Sequence, residues 1–291
     1  MTSLRSRSEP LMGTIVTIAT VGDAAESVSR AFDWFREVEA RCSRFDPASE
    51  LCRLSATAGT AVPVSDLVFE AMRFALYVAE ISEGAFDPVV GGAMVARGFN
   101  RHYVTGEAIT GTVPALQGPS PSDATFRDVL LDPEAKTVTL LRPMLLDLGG
   151  LAKGLAIDLA AKELESIRNF SIDAGGDLYL NGKNEHGDAW SVGIRHPRKD
   201  HSVIEVIDVS DKAVCTSGDY ERGQHLLDPA GQAPASRLAS ATVIAPTAML
   251  ADAASTAAFV LGPVEGIAFC RRIGVAAILF TPDLARHEAI L

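Results

Sequence analysis

Apolar and polar side chains alternate over TIVTIATVGD, Thr14 to Asp23, which predicts a strand ending at a turn. The period then changes. Val28, Phe32, Phe35 and Val38 recur at helical spacing within Ala25 to Arg41, with Ser and Glu near the start. Ser65 to Ile81 repeats that pattern through Leu67, Met72, Phe74, Leu76 and Val78, so both stretches predict helices that cover a sheet. Gly98 to Asp128 is rich in Gly, Thr, Ser and Pro with weak periodicity, which predicts a long loop or an insertion. Val129 to Leu131 and Thr137 to Leu141 predict a hairpin. Met144 to Ile167 runs from a short apolar stretch through two glycines into a helix. The same order recurs in ATVIAPTAMLADAASTAAFVL, from a β-like stretch at Ala241 to Ala245 into a second helix. Between them NFSIDAGGDLYLNG, WSVGIRHP, VIEVIDVS and AVCTSG predict short strands. No regular βαβ period links these elements, so the pattern predicts a mixed α+β fold rather than a doubly wound parallel sheet.

Composition narrows the function classes. A chain of 291 residues with 47% hydrophobic and 22% charged side chains can bury a large core, as one large domain or two intimately packed ones. A net charge of −11 disfavours nonspecific binding to nucleic acid or an anionic membrane, and an anionic substrate needs local neutralisation. Cys42, Cys52, Cys215 and Cys270 form no CxxC pair and no cluster with zinc spacing, so they are expected to pack rather than to bind metal or cross-link. MTSLRSRSEPLMGT lacks an apolar segment after its arginines, and no run resembling a membrane span of ~20 apolar residues is evident. The expectation from the sequence as written is a cytoplasmic protein.

Several short segments could carry chemistry. In ADAASTAAFVLG, Asp252 and Thr256 lie one turn apart on a small, apolar helix, and a carboxylate there needs a cation, a donor network or water. In LDLGGLAKG, two glycines at a strand-to-helix junction and free N–H groups suit an anion, with Lys153 adding charge; a tight turn with a solvated lysine is the plainer alternative. Neither GxxxxGK[ST] nor GxGxxG is present. DAGGDLYLNG sets acids around a second glycine pair, as a hairpin turn also would. TSGDYERG gathers hydroxyls, an acid and an arginine, and HLLDPAGQAP places His225 before an Asp-Pro turn.

Together these segments form an ordered series: LMGT at Leu11, SRFDPASELCRL at Ser43, GAFDPVVGG at Gly84, DLGGLAKGLAID at Asp147, DAGGDLYLNG at Asp173, AVCTSGDYER at Ala213, HLLDPAGQAP at His225 and ADAASTAAFVLG at Ala251. The series resembles the ApbE-like flavin transferases, the FAD:protein FMN transferase family, over nearly the whole chain. The resemblance implies one such domain over residues 1–291, with mixed sheets covered by helices, a T-fold-related architecture and a site in a cleft between two halves. It implies transfer of FMN from FAD to a Thr or Ser hydroxyl of a target protein, with Mg2+ and release of AMP. The implied metal ligands are Asp252, Thr256 and the carbonyl of Ala152. Met12, Ala85, Phe86 and Asp87 fall where family members contact the flavin and its linker. Asp147 and Lys153 match the segment beside the pyrophosphate, Asp173 and Gly176 the neighbouring loop, and Ser217 a further cofactor contact. His225 is the implied proton acceptor, with Asp219 as the rival base. The acceptor implied is a redox or electron-transfer flavoprotein subunit whose motif holds Ser or Thr, Gly and Ala before the modified Thr. An FAD pyrophosphatase that uses water as nucleophile, or an FAD-binding protein without chemistry, keeps the same site. Many relatives work outside the cytoplasmic membrane, so a periplasmic location follows if a leader has been removed. The 98–128 region matches no family motif and is a candidate lid or acceptor-docking element.

Overall fold

The alternating stretch at Thr14 does form a strand, but as the second of a hairpin whose first strand carries no alternation to announce it. The computed structural model describes residues 3–99, 124–220, 227–228 and 233–290. In chain order these give β1 (Leu4–Leu11), β2 (Thr14–Val21), α1 (Ala25–Cys42), α2 (Glu50–Ser55), β3 (Ala61–Pro63), α3 (Asp66–Ile81), α4 (Gly91–Ala96), β4 (Val129–Asp132), β5 (Thr137–Leu140) and α5 (Ala152–Glu163). There follow β6 (Phe170–Ala174), β7 (Asp177–Asn181), β8 (Trp190–Arg195), β9 (Val203–Val209), β10 (Lys212–Gly218), β11 (Leu227–Asp228), β12 (Ala233–Pro234), β13 (Ser240–Ala245), α6 (Ala248–Arg272), β14 (Ala276–Phe280) and β15 (Arg286–Ala289). The chain divides into two compact units. One comprises Met1–Arg36, Lys153–Leu226 and Ala235–Leu291; the other comprises Glu37–Ala152 and Leu227–Pro234.

The first unit is built on an eight-stranded sheet in the order β1-β2-β6-β7-β10-β13-β14-β15. As the α+β reading expects, this is no doubly wound parallel sheet: every ladder is antiparallel, because neighbours are joined by tight hairpins or by returns that reverse direction. One face of the sheet is covered by the β8–β9 hairpin, where Val192, Ile207 and Val209 pack with Leu180, Val214 and Ile244. Strand alternation then turns Ala213, Cys215 and Ser217 of β10 towards the opposite face, and the Cys215 thiol reaches the carbonyl of Ala248 in α6 at 3.6 Å. The residues that meet there are small on both sides. Ala241 and Ala245 of β13, and Ala251, Ala254 and Ala258 of α6, are all fully buried.

Helix α6 starts three residues earlier than the stretch quoted for it, with Thr247 as N-cap accepting the N–H of Leu250 at 3.4 Å. It changes direction at Gly262, whose φ of 83° is left-handed, just ahead of Pro263. By length and composition alone α6 would pass for a membrane span, although no such run is expected from sequence; most of it is buried inside the fold, so its apolar surface is used in the core.

The second unit carries a three-stranded sheet in the order β3-β5-β4, in which the expected hairpin gains β3 at its edge. Helix α3 begins where expected, capped by the Ser65 hydroxyl on the N–H of Val68 at 3.3 Å, but it buries Val68, Phe69, Ala71, Met72, Ala75, Val78 and Ala79. Leu67, Phe74 and Leu76, read from sequence as part of its apolar face, are only half-buried. The apolar run at Met144 is not a strand. Met144, Leu145, Leu146 and Leu148 are buried without joining a ladder, and single partners satisfy the backbone: Ser55 Oγ accepts the Leu146 N–H at 3.1 Å and the Pro88 carbonyl the Asp147 N–H at 2.8 Å. Of the 98–128 region only its ends are described; Phe126–Asp128 forms a 3-10 turn with a capping box from Thr125.

Close approach of α5 and α6 requires Gly154. A Cβ at this position would lie 2.4 Å from the Ala248 carbonyl oxygen and 2.6 Å from the Met249 Cα, both backbone atoms that cannot move aside alone. Gly154→Ala is therefore expected to lower stability by about 3 kcal/mol or to prevent folding, measured by urea denaturation; an unchanged midpoint would contradict this packing.

Candidate functional site

Within the first unit, two tight turns sit side by side at one end of the large sheet. The β1–β2 connection is Met12-Gly13, with φ of 52° and 71°, a turn of the primed type that matches the twist of its strands. Met12 holds a conformation that a side chain seldom adopts, at a cost on the order of 1 kcal/mol. The β6–β7 connection is Gly175-Gly176, both left-handed, and a Cβ on Gly175 would lie 2.3 Å from Thr14 Oγ1. Asp173 closes that turn by accepting the Gly176 N–H at 2.8 Å. Asp177, just beyond it, is buried and forms an ion pair with Lys153, while its other oxygen accepts the Thr216 N–H at 3.3 Å. Met12, Asp173, Gly176 and Lys153 are thus brought to the same sheet end. The charge of Lys153 is already matched by Asp177, a residue that the sequence reading passed over although DAGGDLYL displays it.

The start of α6 lies against β10 and α5. Asp252 is 5% exposed, and its Oδ2 accepts the N–H of Gly154 at 3.1 Å. Asp158, one turn along α5, caps α6 from the side by accepting the N–H groups of Ala248 at 2.7 Å and Met249 at 2.9 Å. Burial pushes the Asp158 carboxyl up to about 6, with the two N–H bonds opposing and the charge of Asp252 adding to the rise. Ser217 Oγ lies 2.9 Å from Ser255 Oγ and 3.2 Å from Thr256 Oγ1, and Ser255 donates to the Asp252 carbonyl at 2.9 Å. Ser217, Ser255 and Thr256 therefore form one hydroxyl cluster, which joins Asp252 through its main-chain carbonyl. Asp158 and Ser255 were missed from sequence; their only signal is helical spacing from Gly154 and Asp252.

Among the described residues no three His, Cys, Asp or Glu side chains gather as a metal cluster. An Asp carboxylate and a Thr hydroxyl one turn apart on α6 are ligand types that suit a hard cation that keeps most of its water or phosphate ligands, as Mg2+ does. Ala152, the third expected ligand, is the first residue of α5, two positions ahead of Gly154. The free cysteines are buried, and the Cys215 thiol is pushed well above its ordinary pKa, so it is a packing group rather than a nucleophile.

Asp219 is held by Arg198 through two bonds, 2.7 Å from Nη1 to Oδ1 and 2.8 Å from Nη2 to Oδ2. Such a fork occupies both carboxylate oxygens and suits anchoring better than proton transfer. His225 lies outside the described residues.

In the second unit, Ala85, Phe86 and Asp87 follow the left-handed pair Glu83-Gly84 at the end of α3. Phe86 is buried, and its N–H donates to Ser82 Oγ at 3.1 Å. The Asp87 carboxylate accepts the N–H groups of Val89 at 2.8 Å and Phe126 at 3.1 Å, so it ties this segment to the Phe126 turn. Asp147 accepts the Gly149 N–H at 2.7 Å and pairs with Arg44 Nε at 2.8 Å, both side chains nearly buried. Arg44 also donates to the Phe99 carbonyl at 2.8 Å and stacks on Phe45 with 4.2 Å to the ring centre. The SRFDP, GAFDP and DLGG segments, far apart in sequence, meet through Arg44, Asp147 and Pro88.

Known proteins resemble this chain in sequence and in fold. The family model of the ApbE family matches residues 12–279. A Vibrio cholerae protein named FAD:protein FMN transferase is 30% identical over 95% of this chain and 87% of its own length. A Treponema pallidum protein of the same name is 32% identical over 96% and 84%. Among solved structures, the ApbE protein of Thermotoga maritima superposes with a TM-score of 0.87 at 27% identity, covering 99% of this chain and 97% of that one. The flavin transferase ApbE of Vibrio cholerae gives 0.84 at 26% identity, covering 99% and 96%. The fold and these matches define an α+β enzyme of the flavin transferase class. The chain belongs to the ApbE family.

Two measurements check the site's supports. Lys153→Ala leaves the buried Asp177 carboxylate unpaired and is expected to cost about 3 kcal/mol, seen by chemical denaturation. Lys153→Ala combined with Asp177→Asn should lose less than the single variant; equal or greater loss would show that the pair does not hold this end of the sheet. Burial also raises the Asp87 carboxyl from 3.8 to about 6. The folded state then holds a proton that the unfolded chain has released, so this group's stabilisation is present near pH 4 and is lost as pH rises through 6. Asp87→Asn should gain on wild type by roughly 2 kcal/mol between pH 4 and 7; a difference independent of pH would exclude the shift.

Proposed function

We propose that this chain transfers the FMN portion of FAD to a Ser or Thr hydroxyl of an acceptor protein, in a reaction that depends on Mg2+. The acceptor oxygen bonds to the phosphorus of the FMN moiety, the bond from that phosphorus to the bridging oxygen breaks, and AMP leaves; the hydroxyl proton passes to a base of the enzyme. The observation that carries this reading is the Ser217, Ser255 and Thr256 cluster, joined to the Asp252 main-chain carbonyl, at the sheet end that also holds the Met12 and Gly176 turns.

Asp252, Thr256 and the Ala152 carbonyl would hold the Mg2+, which when bound supplies charge neutralisation at the pyrophosphate. The chain's own residues supply position. Gly154 and Asp158 fix the first turns of α6, so that the Asp252 carboxylate keeps one orientation. The glycine turn at Gly176 presents no side chain to a ligand, since the space a Cβ would enter is open, and its N–H is already bonded to Asp173. Asp219, held by Arg198, is better suited to orienting its loop than to taking a proton, which leaves His225 as the proposed acceptor of the hydroxyl proton. Displacement at phosphorus needs mainly positioning and charge stabilisation, and an acidic protein supplies little positive charge of its own for the latter.

The test is mass spectrometry of a redox-protein acceptor carrying the Ser or Thr, Gly, Ala motif, coexpressed with this chain. An FMN adduct is expected with wild type and should fall by at least ~100-fold with Asp252→Asn. Full modification by Asp252→Asn at ordinary Mg2+ would overturn the metal assignment. Rapid AMP release from FAD and Mg2+ without acceptor, with no adduct when acceptor is added, would instead identify a pyrophosphatase.

A further inference from the structure

The hydroxyl groups around Asp252 have a fixed direction of donation. A hydroxyl has one proton to give and lone pairs to receive. Ser255 donates its proton to the Asp252 main-chain carbonyl at 2.9 Å, since a carbonyl can only accept. Its 2.9 Å contact with Ser217 must then be one in which Ser217 donates. With its own proton committed, Ser217 can only receive in its 3.2 Å contact with Thr256. Thr256 is thereby the donor, and the lone pairs of its Oγ1 are left for something other than the protein's hydroxyl chain.

The geometry follows from the fold. Ser217 faces α6 because Cys215, two residues earlier on β10, does so, and Ser255 is 1% exposed at the small-residue contact between strand and helix. The buried carbonyl of Asp252 thus anchors a relay that runs outward to the half-buried Thr256. Thr in a helix ordinarily can turn its proton to the carbonyl one turn back. Here Ser255 uses the Asp252 carbonyl, and Ser217 gives Thr256 an alternative partner across the interface.

We propose that Ser255 and Ser217 are positioning residues that hold the Thr256 hydroxyl as a donor towards the sheet, so that its lone pairs face the ion shared with Asp252. This rests on the metal assignment made above for Asp252 and Thr256. It gives Ser217 a role through Thr256 rather than through direct contact with FAD. It also accounts for a serine beside the metal-site threonine, where the flanking residues Ala253, Ala254, Ala257 and Ala258 are all alanine.

The experiment is Mn2+ titration of the purified full chain without FAD, with free Mn2+ followed by electron paramagnetic resonance. Wild type, Ser217→Ala, Ser255→Ala, Thr256→Val and the double variant Ser217→Ala/Thr256→Val are compared, with circular dichroism melts to confirm folding. Ser217→Ala is expected to weaken Mn2+ about tenfold, and Ser255→Ala, which frees Ser217 to reverse its bond, by a smaller factor. In the Thr256→Val background, Ser217→Ala should cost no more than twofold, because its effect passes through the missing hydroxyl. Ser217→Ala binding Mn2+ within twofold of wild type, or the same loss in both backgrounds, would overturn the relay while leaving the metal assignment intact. Thr256→Val binding like wild type, or no Mn2+ binding by wild type at millimolar concentration, would overturn both. If Ser255→Ala fails to fold, the Ser217 and Thr256 cycle decides the matter alone.

Discussion

A carboxylate placed in the first turns of a helix that is apolar on every side is the constraint on which the first unit depends. Asp252 is buried, and a buried charge is tolerated only where donors or a cation meet it. The fold answers by bringing α5 close enough for the Gly154 N–H to reach Oδ2, an approach possible only because position 154 has no side chain. Asp158 then satisfies the N–H groups at the head of α6, so both ends of the contact carry polar groups with partners. Small residues on β10, β13 and α6 let strand and helix come near enough for hydroxyls to bond across the gap. The same closeness that packs the core therefore builds the cluster.

The second unit solves a different problem with similar means. Its apolar run at Met144, Leu145, Leu146 and Leu148 is buried yet belongs to no ladder, so its backbone groups need individual partners. Ser55 and Pro88 supply them for Leu146 and Asp147, and with the Arg44–Asp147 ion pair they draw distant sequence segments to one place. A buried arginine paired with a nearly buried aspartate is costly to assemble and costly to break, which favours one arrangement of these loops over others.

Much of the architecture was legible from periodicity. The Thr14 strand, α1, α3, the β4–β5 and β6–β7 hairpins and the passage from β13 into α6 follow from patterns of period 2 and 3.6. What escaped shared a physical cause. β1 carries Arg5, Arg7 and Glu9 on an exposed edge, where no buried face imposes alternation. The Met144 run looked like a strand because burial, not hydrogen bonding, determines apolar composition. On α3 the buried face was misplaced, since Phe69 and small alanines face inward while the larger Phe74 and Leu76 lie at the boundary. The site was legible as types of chemistry: an Asp and a Thr one turn apart, glycine pairs flanked by acids. Its supports were not. Asp177, Asp158, Arg44 and Ser255 resemble ordinary surface or helix residues until their partners, distant in sequence, are known.

The sequence by itself determined that the chain is an acidic α+β protein, that its motifs occur in the order of the ApbE family, and that Asp252 and Thr256 share a helix face; each of these is local or additive along the chain. Only the tertiary structure decided which partner each polar group takes. Lys153 is bound to Asp177, Asp219 is gripped by Arg198, and Ser217 meets Thr256, because hydrogen bonds and ion pairs act over a few ångströms in space. Residues separated by tens of positions acquire such distances only when strands pair and a helix packs across them.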